Sequence, residues 1–162
     1  MAAKADFTSE EWSKLLESPM MVGMAISASE PSGLWGLLHE GFSGARQLTG
    51  SRDSETQLIK DIVADLATSE GRTIARDALQ AQFKGAKPAE IVDRSVVTLR
   101  EIAGILDRKA GGEAVAVKSW LYAHAERVAN AASEGGFLGF GGQKVSENER
   151  ATLKQISDAL AI

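Results

Sequence analysis

The stretch from 88 to 112, PAEIVDRSVVTLREIAGILDRKAGG, decides the fold class. Val92, Val96, Leu99, Ala103 and Leu106 follow one another in alternating steps of four and three, which lines one side of an α-helix and no side of a strand. Pro88 suits the first helical position, where its missing N–H has no intrahelical partner, and Gly111-Gly112 supplies the stop. An apolar stripe on a soluble helix has to be covered, so the same spacing predicts helical neighbours.

The pattern continues on both sides. Towards the C-terminus, Val117, Leu121, His124 and Val128 predict a helix over about 113–133, expected at the centre of the molecule. Ser146 and Glu149 have capping-box spacing and open a final helix bearing Leu153, Ile156 and Leu160. Towards the N-terminus, Ile74, Ala78, Leu79 and Phe83 run helically to a stop at Gly85. Thr68 to Gly71 reads as a bend or restart after Leu58, Ile59, Ile62, Val63 and Leu66, whose helix is expected to start from a Ser54–Gln57 capping pair. Leu34, Leu38, Ala45 and Leu48 recur near helical spacing, weakened by Gly36, Gly41 and Gly44. The first helix is expected from about Ser9 to Glu17, with Thr8 and Glu11 as capping box and Phe7 and Trp12 as hydrophobic staple. Ser18-Pro19 then reads as a fresh start for a second helix carrying Met20, Met21, Met24 and Ile26, before a break at Glu30-Pro31-Ser32-Gly33. No sustained period-2 run bounded by turns interrupts this order. The expectation is an all-α protein, one domain over 1–162, folded as a compact bundle of roughly seven or eight helices.

Composition narrows function by exclusion. The chain has no cysteine, which removes disulfides, thiolate nucleophiles, iron–sulfur clusters and cysteine-based zinc sites. The balance of 18 basic against 22 acidic residues contains no basic run interleaved with aromatics, so nucleic acid is not an expected partner. The longest apolar stretch, Pro19 to Ile26, falls far short of the roughly 20 residues that span a bilayer. Lys4, Asp6, Glu10 and Glu11 interrupt any secretory apolar region at the N-terminus, and a cytoplasmic location is expected.

Only His39 and His124 supply imidazole, too few for a three-histidine metal site. His124 lies on the apolar stripe of its helix, where the ordinary role is a packed, hydrogen-bonded histidine; His124, Glu126 and Tyr122 as acid–base groups form the enzymatic alternative. Gly41-Phe42-Ser43-Gly44-Ala45 approaches a nucleophile elbow but has alanine at the last glycine position and no strand before it. The chain therefore offers no complete catalytic constellation. Gly135 to Gly142 lacks the strand and the Gly-Lys-Ser/Thr ending of a phosphate loop, yet carries Phe137, Leu138 and Phe140, which tuck into the bundle or form an apolar flap over a ligand or partner. Met20, Met21 and Met24 offer an adaptable binding surface or gap-filling core. Asp61 and Asp65 stand one turn apart, either a solvated acidic edge or, with Glu70 or the distant Glu147 and Glu149, carboxylate ligands for a divalent cation.

The long helix from Lys118, the loop Gly135-Gly136-Phe137-Leu138-Gly139-Phe140-Gly141-Gly142 and the following Val145-Ser146-x-x-Glu149 resemble a group of uncharacterised bacterial proteins similar to the TerB-like, tellurite-resistance-associated helical family. The resemblance covers the last quarter of the chain best. It implies an all-helical fold, an intracellular stress-related setting and metal-binding acidic residues; this chain departs from a full acidic pattern, with only Asp61, Asp65, Glu147 and Glu149 approaching it. Taken together, the residues favour a non-enzymatic binding or scaffold module for a protein partner or for self-association. Carboxylate metal sensing and acid–base catalysis at His124 are the alternatives.

Overall fold

The computed structural model describes residues 1–30, 56–134 and 145–162, the side chains of 132–134 excepted. Its helices are α1 (Ser9–Ala28), α2 (Gln57–Ala67), α3 (Ser69–Phe83), α4 (Pro88–Lys109), α5 (Ala114–Glu134) and α6 (Glu147–Leu160), with single 3₁₀ turns at Lys4–Asp6 and Gly111–Glu113. Among the described residues there is no strand. Several expected features fall outside these residues: the break at Pro31-Ser32-Gly33, the helix over Leu34 to Leu48, with His39 and the stretch Gly41 to Ala45, the cap residue Ser54, and the Gly135–Gly142 loop, with Phe137, Leu138 and Phe140.

α1 differs most from expectation. Ser18-Pro19 does not restart a helix; α1 runs through it. Proline removes the N–H that would bond to the Leu15 carbonyl and crowds that same oxygen. Here the hydroxyl of Ser18 donates to Leu15 O at 2.8 Å, so the orphaned acceptor keeps a partner inside the helix. The N-terminus is built as its sequence predicts. Thr8 Oγ1 accepts from the Glu11 amide at 3.2 Å, and Glu11 Oε2 accepts from the Thr8 amide at 2.8 Å. The staple rings of Phe7 and Trp12 lie 5.8 Å apart.

Every residue from Leu15 to Ile26 is buried except Met20 and Met24, which are half-buried. A helix covered on all sides is an internal one, and α1 touches each of the other five helices, α4 most extensively. The centre therefore belongs to α1, not to α5 as the sequence suggests.

The other helices wrap this axis with their stripes inward. α2 buries Leu58, Ile59, Ile62, Val63 and Leu66, and α4 buries Ile91, Val96, Leu99, Ile102, Ala103, Ile105 and Leu106. Gln57 is the first residue of α2, not the third as the expected Ser54 pairing requires, and its amide donates forward to Asp61 Oδ1 at 2.7 Å. The bend before α3 is real. Thr68 Oγ1 donates to Asp65 O at 2.7 Å and accepts from the Gly71 amide at 3.0 Å; a Cβ on residue 71 would stand 2.1 Å from that carbonyl oxygen. In α3 the buried row is Gly71, Ala75, Leu79 and Phe83, while Ile74, expected in the core, is 38% exposed. Gly111, at φ +52°, turns the chain from α4 into α5. Ser146 and Glu149 cap α6 reciprocally, and the Ser146 hydroxyl also donates to Glu30 just past α1.

Candidate functional site

The first turns of α1 and the C-terminal half of α4 run alongside each other and leave an open cleft of about 460 Å³. Thr8, Glu10, Glu11 and Lys14 form one wall; Arg100, Glu101, Gly104, Ile105 and Arg108 form the other. Both walls are rigid helix, which holds side chains more tightly than loops do. Of the α4 lining, Arg100, Gly104 and Arg108 share one face, one residue per turn, with Glu101 and Ile105 beside them, and Gly104 leaves that face without a side chain at its midpoint.

Most of the cleft's charges are already committed. Glu11 accepts from Lys109 Nζ at 2.6 Å as well as from the Thr8 amide; the hydrogen bond from Lys109 is the main reason its carboxyl lies below the usual glutamate range. Lys14 is ion-paired with Glu101 across the cleft. Arg100, Arg108 and Glu10 form no ion pair among the described residues.

Behind Lys14, one turn deeper, Glu17 is only 4% exposed. Burial pushes its carboxyl up to about 7, opposed by the charge of Lys14 and assisted by that of Glu101. Glu17 is the only charged residue between Leu15 and Ile26, a sequence signal hidden when the segment is split at Ser18-Pro19. Arg100, Gly104 and Arg108 also go unremarked in the sequence, since charges opposite an apolar stripe ordinarily face water.

The residues singled out in the sequence are dispersed. Met21 is fully buried, and Met20 and Met24 pack against the core. His124 is 5% exposed, and its Nδ1 has no hydrogen-bond partner among the described residues. Burial, helped by the nearby charge of Arg127, pushes its imidazole down to about 4. Glu126, two residues on, is exposed, so the acid–base pair of the enzymatic alternative faces apart. Tyr122 is half-buried, its hydroxyl raised by burial and by the charge of Glu126.

Each of the four proposed metal carboxylates has its own surroundings. Asp65 accepts from Lys4 Nζ at 2.6 Å and Trp12 Nε1 at 2.7 Å. Burial alone would raise this carboxyl, but these contacts and the lysine charge outweigh it and leave it lowered. Asp61 is bound by Gln57, Glu149 is buried in its cap, Glu147 is exposed, and Glu70 is exposed on α3. Among the described residues no three histidine, aspartate or glutamate side chains are grouped so as to hold a metal ion, and no helix is long and apolar enough to cross a membrane. The chain matches no family model, no curated protein and no solved structure.

Proposed function

We propose that this protein is a non-enzymatic helical binding module and that the α1–α4 cleft is its ligand-facing surface. The observation that carries the reading is the cleft itself: about 460 Å³, open to solvent, with charged walls on two rigid helices. Its position supports the reading further, because α1 and α4 are the most extensively packed helix pair and a ligand would meet a preformed surface. The TerB-like kinship belongs with this proposal; what supports it is the all-helical described chain and the capped start of α6.

Nuclear magnetic resonance with a library of small charged and uncharged compounds tests the assignment. Saturable amide shifts are expected to cluster at Thr8, Lys14, Gly104 and Arg108. Shifts confined to another surface would overturn the location. A turnover that is lost in His124→Asn would overturn the non-enzymatic reading.

A further inference from the structure

We propose that the α1–α4 cleft takes an anionic ligand whose carboxylate or phosphate oxygens pair with the guanidinium groups that Arg100 and Arg108 present along the α4 wall. This rests on the reading of the cleft as the ligand-facing surface and adds the chemistry of what binds there.

Charge comes first. Six charged side chains line the cleft, formally three of each sign: Glu10, Glu11 and Glu101 against Lys14, Arg100 and Arg108. Glu11 is taken by Lys109 from outside the lining, and Lys14 and Glu101 satisfy each other. Two arginines and Glu10 are left, an excess of one positive charge in a chain whose net charge is −4. Arginine keeps its charge at any physiological pH, and its planar fork of donors matches the paired oxygens of carboxylate and phosphate.

Gly104 supplies a second, independent observation. A glycine inside a helix weakens it relative to alanine, so its presence calls for a local reason. Among the described residues, no other helix approaches closely enough to be that reason. Outside its own stretch of helix backbone, the only described atom within 4 Å of a Cβ built on residue 104 is Nη1 of Arg108, at 3.3 Å. The side chain of Arg108 lies back over Gly104, following the tilt of helical side chains towards the N-terminus, and a Cβ there would push its guanidinium by a few tenths of an ångström. Arg100 and Arg108 are separated by two turns, about 12 Å along the axis. That places cationic groups along one wall, with Glu10 on the other directing a ligand's negative charge towards α4.

Calorimetric titration and the Gly104 amide resonance, at constant ionic strength balanced with sodium chloride, provide the test, with inorganic phosphate and succinate as separate probes. Saturable binding of at least one is expected, and whichever binds more tightly distinguishes phosphate from carboxylate chemistry. Arg100→Gln/Arg108→Gln should weaken it about tenfold or more, as loss of charge-assisted hydrogen bonds implies. Glu10→Gln should tighten it. Gly104→Ala should raise the unfolding temperature while weakening binding, a combination that general damage to the fold would not give. Absence of saturable binding by either probe, or binding unchanged in the double arginine variant, overturns the inference. If uncharged or cationic compounds shift the cleft amides while both anions leave them unmoved, the anion chemistry fails and the binding surface stands. If all shifts fall elsewhere, the underlying reading fails.

Discussion

A carboxyl group surrounded by α1's apolar neighbours releases its proton reluctantly, and Glu17 carries that cost whenever it ionises. Folding raises it from an ordinary 4.5 to about 7, so the folded protein holds the proton more tightly than the unfolded chain does. The stability that Glu17 contributes is then greatest below about 4.5, falls as pH rises through the window up to about 7, and levels off above it. Glu17→Gln, which resembles the protonated side chain in shape, is expected to stabilise the protein by up to about 3 kcal/mol at pH 8 and by little at pH 4. Urea unfolding at the two pH values checks this; an equal effect at both would sink it. The sequence conceals Glu17 because a helix ending there would leave the side chain at a solvated terminus. His124 is half legible: its place on the stripe with Val117, Leu121 and Val128 predicts a packed, hydrogen-bonded residue, and it is buried, but its Nδ1 has no hydrogen-bond partner among the described residues.

At the scale of elements, the sequence is most legible where a helix end is written in side chains next to it. Thr8–Glu11, Pro88 and Ser146–Glu149 begin their helices as expected, and each signal lies within four residues of its own helix start. Pro19 misleads because serine before proline has two uses, capping a new helix or completing the hydrogen bonding of an old one. The second use makes a testable claim. Ser18→Ala should cost about 1 kcal/mol by leaving the Leu15 carbonyl buried and unpaired. In a Pro19→Ala background residue 19 regains its amide N–H, and Ser18→Ala should then cost less. A double-mutant cycle by chemical unfolding measures the coupling, and additive effects would show that Ser18 does not serve the proline. The cleft is less legible than any single helix. Its walls are about 90 positions apart in sequence, and each reads separately as an ordinary solvated face.

For the molecule as a whole, two buried titrating groups act against each other. His124, lowered from 6.5 to about 4, leaves the folded protein short of a proton that the unfolded chain binds, so its contribution is present above about 6.5 and lost as pH falls through the window down to about 4. Between about 4.5 and 6.5 the folded state gains a proton at Glu17 and forgoes one at His124, and their opposite slopes cancel. The wild-type protein should therefore show little pH dependence from this pair across that range. Glu17→Gln should become less stable towards acid, and His124→Phe less stable towards neutral pH, each by up to about 3 kcal/mol over its window. Parallel profiles for the two variants would contradict this.

The hub position of α1 has a consequence in time. Its partners are made after it: α4, its largest neighbour, is complete only at Lys109, 81 residues beyond the end of α1 at Ala28. At roughly 5–20 residues per second, synthesis leaves the newborn helix without its main neighbour for several seconds. Leu15, Leu16, Met21, Val22 and Ile26, all sealed in the finished core, then stand open to water and to other nascent chains. Chains released before Pro88 are expected to sediment as aggregates or to be recovered bound to chaperones, whereas chains extending past α6 stay in the supernatant. The most protected helix of the native protein is the most vulnerable one at birth.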